Sequence, residues 1–406
     1  MSTKPRVYVK VPLSPYSGYG NDGIGIVTAL IEAGADVFVE PSVVQFPLPE
    51  IVHDHINKTI EGPFDLSIVH LDPMAMEATD NLRASSGIVI GWTMWEYSEL
   101  SNVPSMFWGD RKEIPDLEEF FREKLRNFDA ILAYDVVTKE AFEPYFDGPI
   151  MVVQGGFDPR PWPESAARDW NSPEFRFCQH GVLSDRKNPM ASVQAFGMAK
   201  SLDPEFNRWA RLSLHTTTPG LHSKMESMFG TVEKDGKLYE EAPDGTLYQS
   251  LRIFYDLWPT ETVRSFYDAN HVLLAPSRGE GKNVPALEFM STGGTVIATA
   301  WGGHTGWLNE DYSYALDFTL RPSEPGSTAL NADAAVQHLC ELMLRCFNNR
   351  DEVRRKGEAA AASIPLMMSW DRVMDRMLFR INDELGSTHS ESFTNLAELD
   401  FIRGSK

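Results

Sequence analysis

Along the chain, short runs of apolar and β-branched residues alternate with stretches whose apolar positions recur every three or four residues. The first pattern predicts buried strands and the second predicts amphipathic helices. In the first half, strand-like runs fall at 6–13, 35–40, 65–70, 87–92, 129–134 and 150–154, with helical spacing at 23–33, 115–127 and 136–145. A Pro/Trp/polar stretch at 155–174, GGFDPRPWPESAARDWNSPE, reads as an interdomain linker. The alternation then restarts, with strands expected at 175–180, 211–216, 251–257, 271–276 and 295–300 and helices at 190–200, 261–270 and 285–292. Residues 220–248, rich in Gly, Lys and Glu, read as an excursion between strands, and helices are expected at 333–348, 350–363 and 370–385. The last twenty residues are mostly polar and read as loosely held.

Short buried strands separated by helices imply parallel, doubly wound sheets. There is no internal sequence repeat, only a repeated architecture. The expected fold class is therefore α/β, with two Rossmann-like doubly wound domains facing a central cleft. The expected boundaries are 1–160 and 170–365, with 366–386 as a helix packing back on the first domain and 387–406 as a polar tail. Ligands of such sheets bind at the carboxyl ends of the strands, here the walls of the cleft.

A length of 406 residues exceeds what one hydrophobic core usually serves, which agrees with two domains. The net charge of −21 favours solubility and argues against a broad anionic partner surface, while leaving room for a local basic cleft. Three cysteines, Cys178, Cys340 and Cys346, lack metal-ligand spacing and point to a reduced compartment without a disulfide framework. The opening MSTKPRVYVKVPL holds no apolar signal segment, and no run reaches the ~18–20 apolar residues of a membrane span, so a cytoplasmic protein is expected.

Three stretches carry candidate chemistry. In SGYGNDG, Gly18, Gly20 and Gly23 have G-x-G-x-x-G spacing between a strand and a helix, and Glu40 ends the next strand, where a dinucleotide enzyme holds a ribose hydroxyl. That makes an NAD-dependent oxidoreductase the rival reading. Against it, five residues separate strand and first glycine, and Pro15, Tyr16 and Tyr19 crowd the turn. The other reading is a flexible loop whose amides, around Gly18, Tyr19 and Gly20, face an anion in the cleft. In HGVLSDRKNP (180–189), Arg186 and Lys187 precede a helix, a favourable arrangement for a diphosphate.

The third stretch is RGEGKNVPALEFMSTGG (278–294). A Walker phosphate loop would need Gly at Pro276 and Ser or Thr at Asn283, so that reading fails. Pro285 suits a first helical position, which puts Glu280 in the loop at the strand's carboxyl end and Glu288 one turn into a helix, where the dipole favours an anion. Between them the amides of Gly281, Lys282, Asn283 and Val284 stay free for a ligand. Carboxylates accept from hydroxyls and amides receive phosphates, so the arrangement suits a phosphorylated, polyhydroxylated molecule.

PSRGEGKNVPALEFMSTGGTVIATAWGG resembles the E-x7-E signature of retaining GT-B glycosyltransferases of the family-four type. Pro276, Ser277, Glu280, Gly281, Pro285, Glu288, Met290, Gly293, Val296, Ala298, Thr299, Gly302 and Gly303 coincide with its usual form. DLSIVHLDP, VVQGGFDPRPW and HGVLSDRKNP are similar to further segments of that family in the same order, so the resemblance spans most of 14–310 and is dense at 271–303. It implies a GT-B fold and transfer of a sugar, with retention and without a metal, from a UDP- or GDP-sugar co-substrate to an acceptor hydroxyl. No cofactor is expected. It also implies that Glu280 touches the donor sugar, that Glu288 holds the ribose, that Gly281–Val284 and Lys187 meet the sugar and phosphates, and that His70 lines the donor–acceptor junction. The family's arginine is Val182 here, with Arg186 as its substitute, and Lys282 and Asn283 replace the usual Phe-Gly, which suggests altered sugar choice or an added charge at the phosphates. Trp92, Trp95 and Glu96, in WTMWEYSELSNVP (92–104), begin at a strand end and are candidates for the acceptor side. No Asp-x-Asp pair occurs in the chain, which fits metal independence. The acceptor is open among protein, glycan and modified nucleic-acid base, no integral membrane association is expected, and a non-catalytic nucleotide-sugar-binding relative is the third reading.

Overall fold

The computed structural model describes residues 4–101, 116–217 and 250–401, together with the backbone of three short strands between 232 and 248. The expected helix start at 115, the end of the aromatic segment at 102–104, most of the 220–248 excursion and the final 402–406 lie outside the described residues.

Six parallel strands form the first sheet: β1 (Arg6–Leu13), β2 (Asp36–Val44), β3 (Phe64–Val69), β4 (Ser86–Thr93), β5 (Ala130–Ala133) and β6 (Ile150–Val152), in the order β2-β1-β3-β4-β5-β6. The second sheet contains β7 (Phe175–His180), β8 (Ala210–Thr216), β12 (Leu251–Tyr255), β13 (Val272–Ala275), β14 (Thr295–Thr299) and β15 (Ser313–Leu316), again all parallel, in the order β12-β8-β7-β13-β14-β15. Between them in sequence, β9 (Val232–Lys234), β10 (Lys237–Glu241) and β11 (Leu247–Tyr248) make a small antiparallel sheet, and β16 (Phe318–Pro322) pairs antiparallel with β17 (Leu330–Ala334). The central strands are apolar on both faces because helices cover both: Val272, Leu273, Leu274 and Ala275 are all buried. In each sheet, consecutive crossovers reverse direction at one place, between β1 and β3 in the first and between β7 and β13 in the second. A crevice opens at such a place beyond the strand ends.

The chain crosses between the lobes twice, side by side. The amide of Phe157 donates to Met368 O at 2.9 Å, and Phe157 bridges Ser369. The expected linker is held rather than loose: buried Arg168 donates to the carbonyls of Asn270, Thr292 and Tyr267. Beyond the second crossing, the helix Trp370–Leu385 sets Trp370, Val373, Met374, Met377 and Ile381 into the core of the first sheet, the i, i+3, i+4, i+7 face of an amphipathic helix.

Four local expectations need correction. The helix expected from 23 begins at Gly18, because Ser17 caps it by accepting from Gly20 N. The segment 333–348 opens as strand β17, and its helix is Val336–Asn348. The helix from Arg350 runs to Met368 through Pro365. The polar tail is partly ordered: Ser390–Leu396 is a helix, Asn395 donates to Asp65, and Leu396 and Phe401 are buried against the first lobe.

Candidate functional site

At the second switch point, the loops after β7 and β13 lie together, tied by Arg278 N donating to Arg186 O at 2.7 Å. Each leads into a helix, Pro189–Leu202 and Val284–Ser291, through an asparagine in the left-handed region, Asn188 at φ 49° and Asn283 at φ 63°. Asparagine tolerates that conformation, and the proline in each first turn lacks the amide that would otherwise go unpaired.

Charged side chains fill the space between these loops. Lys187 Nζ lies 2.6 Å from Glu280 Oε1, and Arg186 Nη1 lies 3.2 Å from Glu280 Oε2 and 3.1 Å from Glu96 Oε1 of the first lobe. Burial alone would raise the Glu280 carboxyl, but Lys187 and Arg186 outweigh it and hold the group at about 2. The amides of Gly281, Lys282 and Asn283, three buried residues, donate to no acceptor among the described residues. Unpaired buried N–H groups at a helix start are costly unless something anionic or hydroxylic meets them. The carbonyls here are occupied: Gly281 O accepts from Gln154 and Lys282 O from Trp307 Nε1 at 2.7 Å.

Glu288 departs from the anion expected of it. Its carboxylate oxygen accepts from Tyr267 OH at 3.1 Å, and burial pushes the group up to about 8 against the opposing pull of that bond and of Lys282. That shift favours the neutral acid at pH 7. Lys282 departs too: its ammonium leaves the loop for the first lobe, where it binds Asp22 Oδ1 and Gly156 O above the Trp370 ring.

Asp22, on the helix Gly18–Glu32, is fully buried and also accepts from Tyr134 OH at 2.6 Å. His70, just beyond β3, faces it with Nε2 3.7 Å from Asp22 Oδ2. His70 Nδ1 is 2.8 Å from Trp92 O, and since a carbonyl only accepts, Nδ1 carries the hydrogen and Nε2 is a bare, unpartnered lone pair. Both groups sit at the first sheet's switch point. Glycines allow the two walls to touch: a Cβ on Gly281 would fall 2.0 Å from Met94 Sδ, and one on Gly279 would fall 2.3 Å from Glu96 O.

Glu280, Arg186, Lys187, Lys282, Asn283, His70 and Glu96 thus come together at the junction, with Glu288 one helical turn further and Val284 at the helix start. Asn283 Nδ2 donates to His304 Nε2 at 3.0 Å, so His304 supports the loop from below. Val182, where the resembled family has its arginine, is exposed. The tryptophans are core rather than cleft lining: Trp92 is fully buried and donates to Val153 O, and Trp95 is buried and donates to Glu99 O. Gly18, Tyr19 and Gly20 belong to a helix instead of a flexible loop; Gly20 N is taken by Ser17, and Tyr19 OH donates to Met94 O at 2.6 Å. A Cβ on Gly23 would lie 2.0 Å from Pro12 O, so that glycine serves close helix–strand packing. Glu40 is held by Tyr8 OH at 2.7 Å and Lys10 at 3.0 Å, which leaves a dinucleotide ribose little to bind. The sequence reading missed Asp22, Tyr134, Met94 and Gln154. Asp22 stands inside the quoted glycine segment, and the others follow strand ends, the position that marks a ligand-facing residue.

No protein-family model matches the sequence, and no curated relative does either. Solved structures do match in shape. Sucrose-phosphate synthase from Thermosynechococcus elongatus is 14% identical, with a TM-score of 0.59 over 95% of this chain and 100% of that one. A glycosyltransferase from Rickettsia africae is 12% identical at TM-score 0.60, covering 95% and 100%. HepE from Anabaena, solved in complex with UDP-glucose, is 11% identical at 0.55, covering 93% and 99%. The chain therefore has the fold of these enzymes, the GT-B arrangement of two Rossmann-like α/β domains across a cleft.

Proposed function

We propose that the protein is a glycosyltransferase that moves a sugar from a nucleotide-diphosphate sugar to an acceptor hydroxyl, with retention of configuration and without a metal ion. The observation that carries this reading is the set of three unpaired buried amides, Gly281 to Asn283, beside Lys187, Arg186 and Glu280 at the switch point of the second sheet. Amide donors and two cations suit a departing diphosphate, whose developing charge they would meet. Glu280 would accept from donor-sugar hydroxyls and Glu288, as a neutral acid beside Tyr267, would hold the ribose. His70, with its bare Nε2, would stand at the sugar's reacting face, where leaving group and acceptor share one side. The acceptor would enter from the first lobe past Glu96. The fold shared with the UDP-glucose complex of HepE supports a UDP- or GDP-sugar as donor. The oxidoreductase reading is disfavoured by the paired Glu40 and the helical glycines.

The test is a panel of UDP- and GDP-sugars read by thermal stabilisation, followed by product analysis of the anomeric configuration with the donor that stabilises most. Stabilisation by one nucleotide sugar, lost in Glu288→Ala, is the expected result. Stabilisation by NADH alone would reject the assignment.

A further inference from the structure

The charges across the cleft are sorted by lobe. The second lobe supplies the cations Arg186, Lys187 and Lys282 together with Glu280, and the first lobe supplies the carboxylates Asp22 and Glu96. Both cross-lobe pairs therefore run from a first-lobe anion to a second-lobe cation. They differ in depth. The Asp22–Lys282 pair is sealed, with side chains 0% and 3% exposed, whereas Glu96 and Arg186 keep 22% and 28% of theirs open at the mouth. Glu96 is set by its backbone, since Gly279 packs directly on its carbonyl oxygen and Arg186 donates to that glycine's own carbonyl.

The Nη1 end of the Arg186 guanidinium is already taken, by Glu280, by Glu96 and by Gly279 O. Arg186 already meets Glu280 and Glu96, and Lys187 meets Glu280. An anion that reaches Nη1 must displace one of these partners. Glu280 is 5% exposed and bound by two cations, while Glu96 belongs to the other lobe and has one cation partner, so Glu96 is the weaker holder. We propose that Glu96 is a specificity-determining residue of the diphosphate site: it occupies Arg186 as a resident anion, and a ligand carrying two linked phosphates displaces it. This rests on the reading of the cleft as a nucleotide-diphosphate site. A single weak anion gains one contact and loses the Glu96 pair. A diphosphate spans Arg186, Lys187 and the amides of Gly281 to Asn283 at once, and its extra charge compensates the one cation that Glu96 releases.

Inorganic pyrophosphate tests this without a nucleobase or sugar. Calorimetric titration of the full chain and of Glu96→Gln, which keeps the side chain's shape and removes its charge, should show about tenfold tighter pyrophosphate binding in the variant. Glu96→Asp, with a shorter reach to Arg186, should fall between them, which guards against a folding defect in either variant. Equal or weaker pyrophosphate binding by both variants, alongside measurable binding by the intact protein, overturns the proposal and leaves the donor reading standing. If neither the intact protein nor Glu96→Gln binds pyrophosphate or any UDP- or GDP-sugar, the donor reading itself falls, and this inference falls with it.

Discussion

Replacing Lys282 by methionine removes the ammonium that Asp22 holds while keeping an unbranched side chain over Trp370. Asp22 is left fully buried with Tyr134 OH and the bare Nε2 of His70. An unpaired buried carboxylate costs about 3–5 kcal/mol. His70 is a titratable group that faces Asp22, so loss of the ammonium should make proton uptake by His70 more favourable. In the intact protein, burial lowers the His70 pKa from 6.5, Asp22 opposes that, and Lys282 adds to it. Removing Lys282 tips the balance upward.

The pH dependence should then weaken. In the intact protein the folded His70 pKa lies below 6.5, so the unfolded chain binds a proton that the native state does not, and stability is lost as pH falls below 6.5. In Lys282→Met the lowering by Lys282 is gone while that of burial remains, so the folded pKa rises toward 6.5 and less stability is lost as pH falls. The stability gap between the two proteins should therefore widen with increasing pH, by up to about 1.4 kcal/mol per unit where one whole proton differs. Denaturant unfolding of both at several pH values between about 5 and 7.5 measures this, and the other buried histidines, His215, His271 and His304, are common to both and cancel. Asp22→Leu, which removes the group His70 would pair with, should show a gap from the intact protein without that widening. A gap for Lys282→Met that is flat across this range refutes the reasoning.

Glu288→Gln should bind the donor about as well as the intact protein at pH 7, since the native carboxyl is already neutral there. Glu288→Ala should bind at least about tenfold more weakly by calorimetry, because Tyr267 loses its partner. Because the folded Glu288 pKa is raised from 4.5 to about 8, the native state holds a proton the unfolded chain lacks, so its contribution to stability is lost as pH rises through about 8; Glu288→Gln should flatten that part of the stability–pH curve. Gly281→Ala would force a Cβ into Met94 Sδ and Cβ, so small-angle scattering should report a larger radius of gyration, restored by adding Met94→Gly. Arg168→Met strands the carbonyls of Asn270, Thr292 and Tyr267 and should destabilise the protein by about 3 kcal/mol in denaturant unfolding, through an apolar replacement that leaves the cleft untouched.

The strands of the first sheet and five of the six in the second were legible because each is a short apolar run between turn residues; the edge strand Ser313–Leu316, a four-residue segment, was not expected. The loop 276–283 was legible for a related reason: a proline that starts a helix, glycines on both sides and a carboxylate at fixed spacing all bear on one backbone turn. Misread elements share the opposite property. Residues 330–334, LNADA, have weak strand character, and they become β17 because the partner strand Phe318–Pro322 lies beside them. Trp92 and Trp95 were legible as lying past a strand end but not as buried, because which side of the turn faces the cleft depends on residues such as Val153 and Glu99 brought there by the fold.

Asp22 is the instructive miss. Its neighbours Gly18, Gly20 and Gly23 suggest a nucleotide loop, and in that setting an aspartate reads as one more solvated acid. Its burial follows from a contact 260 residues away in sequence, with Lys282, which itself stands where the resembled family has an apolar residue. An unusual lysine in one lobe and an unremarkable aspartate in the other become informative only as a pair. An acid that folding buries without a cation at hydrogen-bond distance would be neutralised by proton uptake instead, so the substitution at 282 and the acid at 22 constrain one another. Asp22 and Gln154, which sequence reasoning misses, are both completed from the other lobe, by the Lys282 ammonium and by the carbonyls of Gly281 and Gly303.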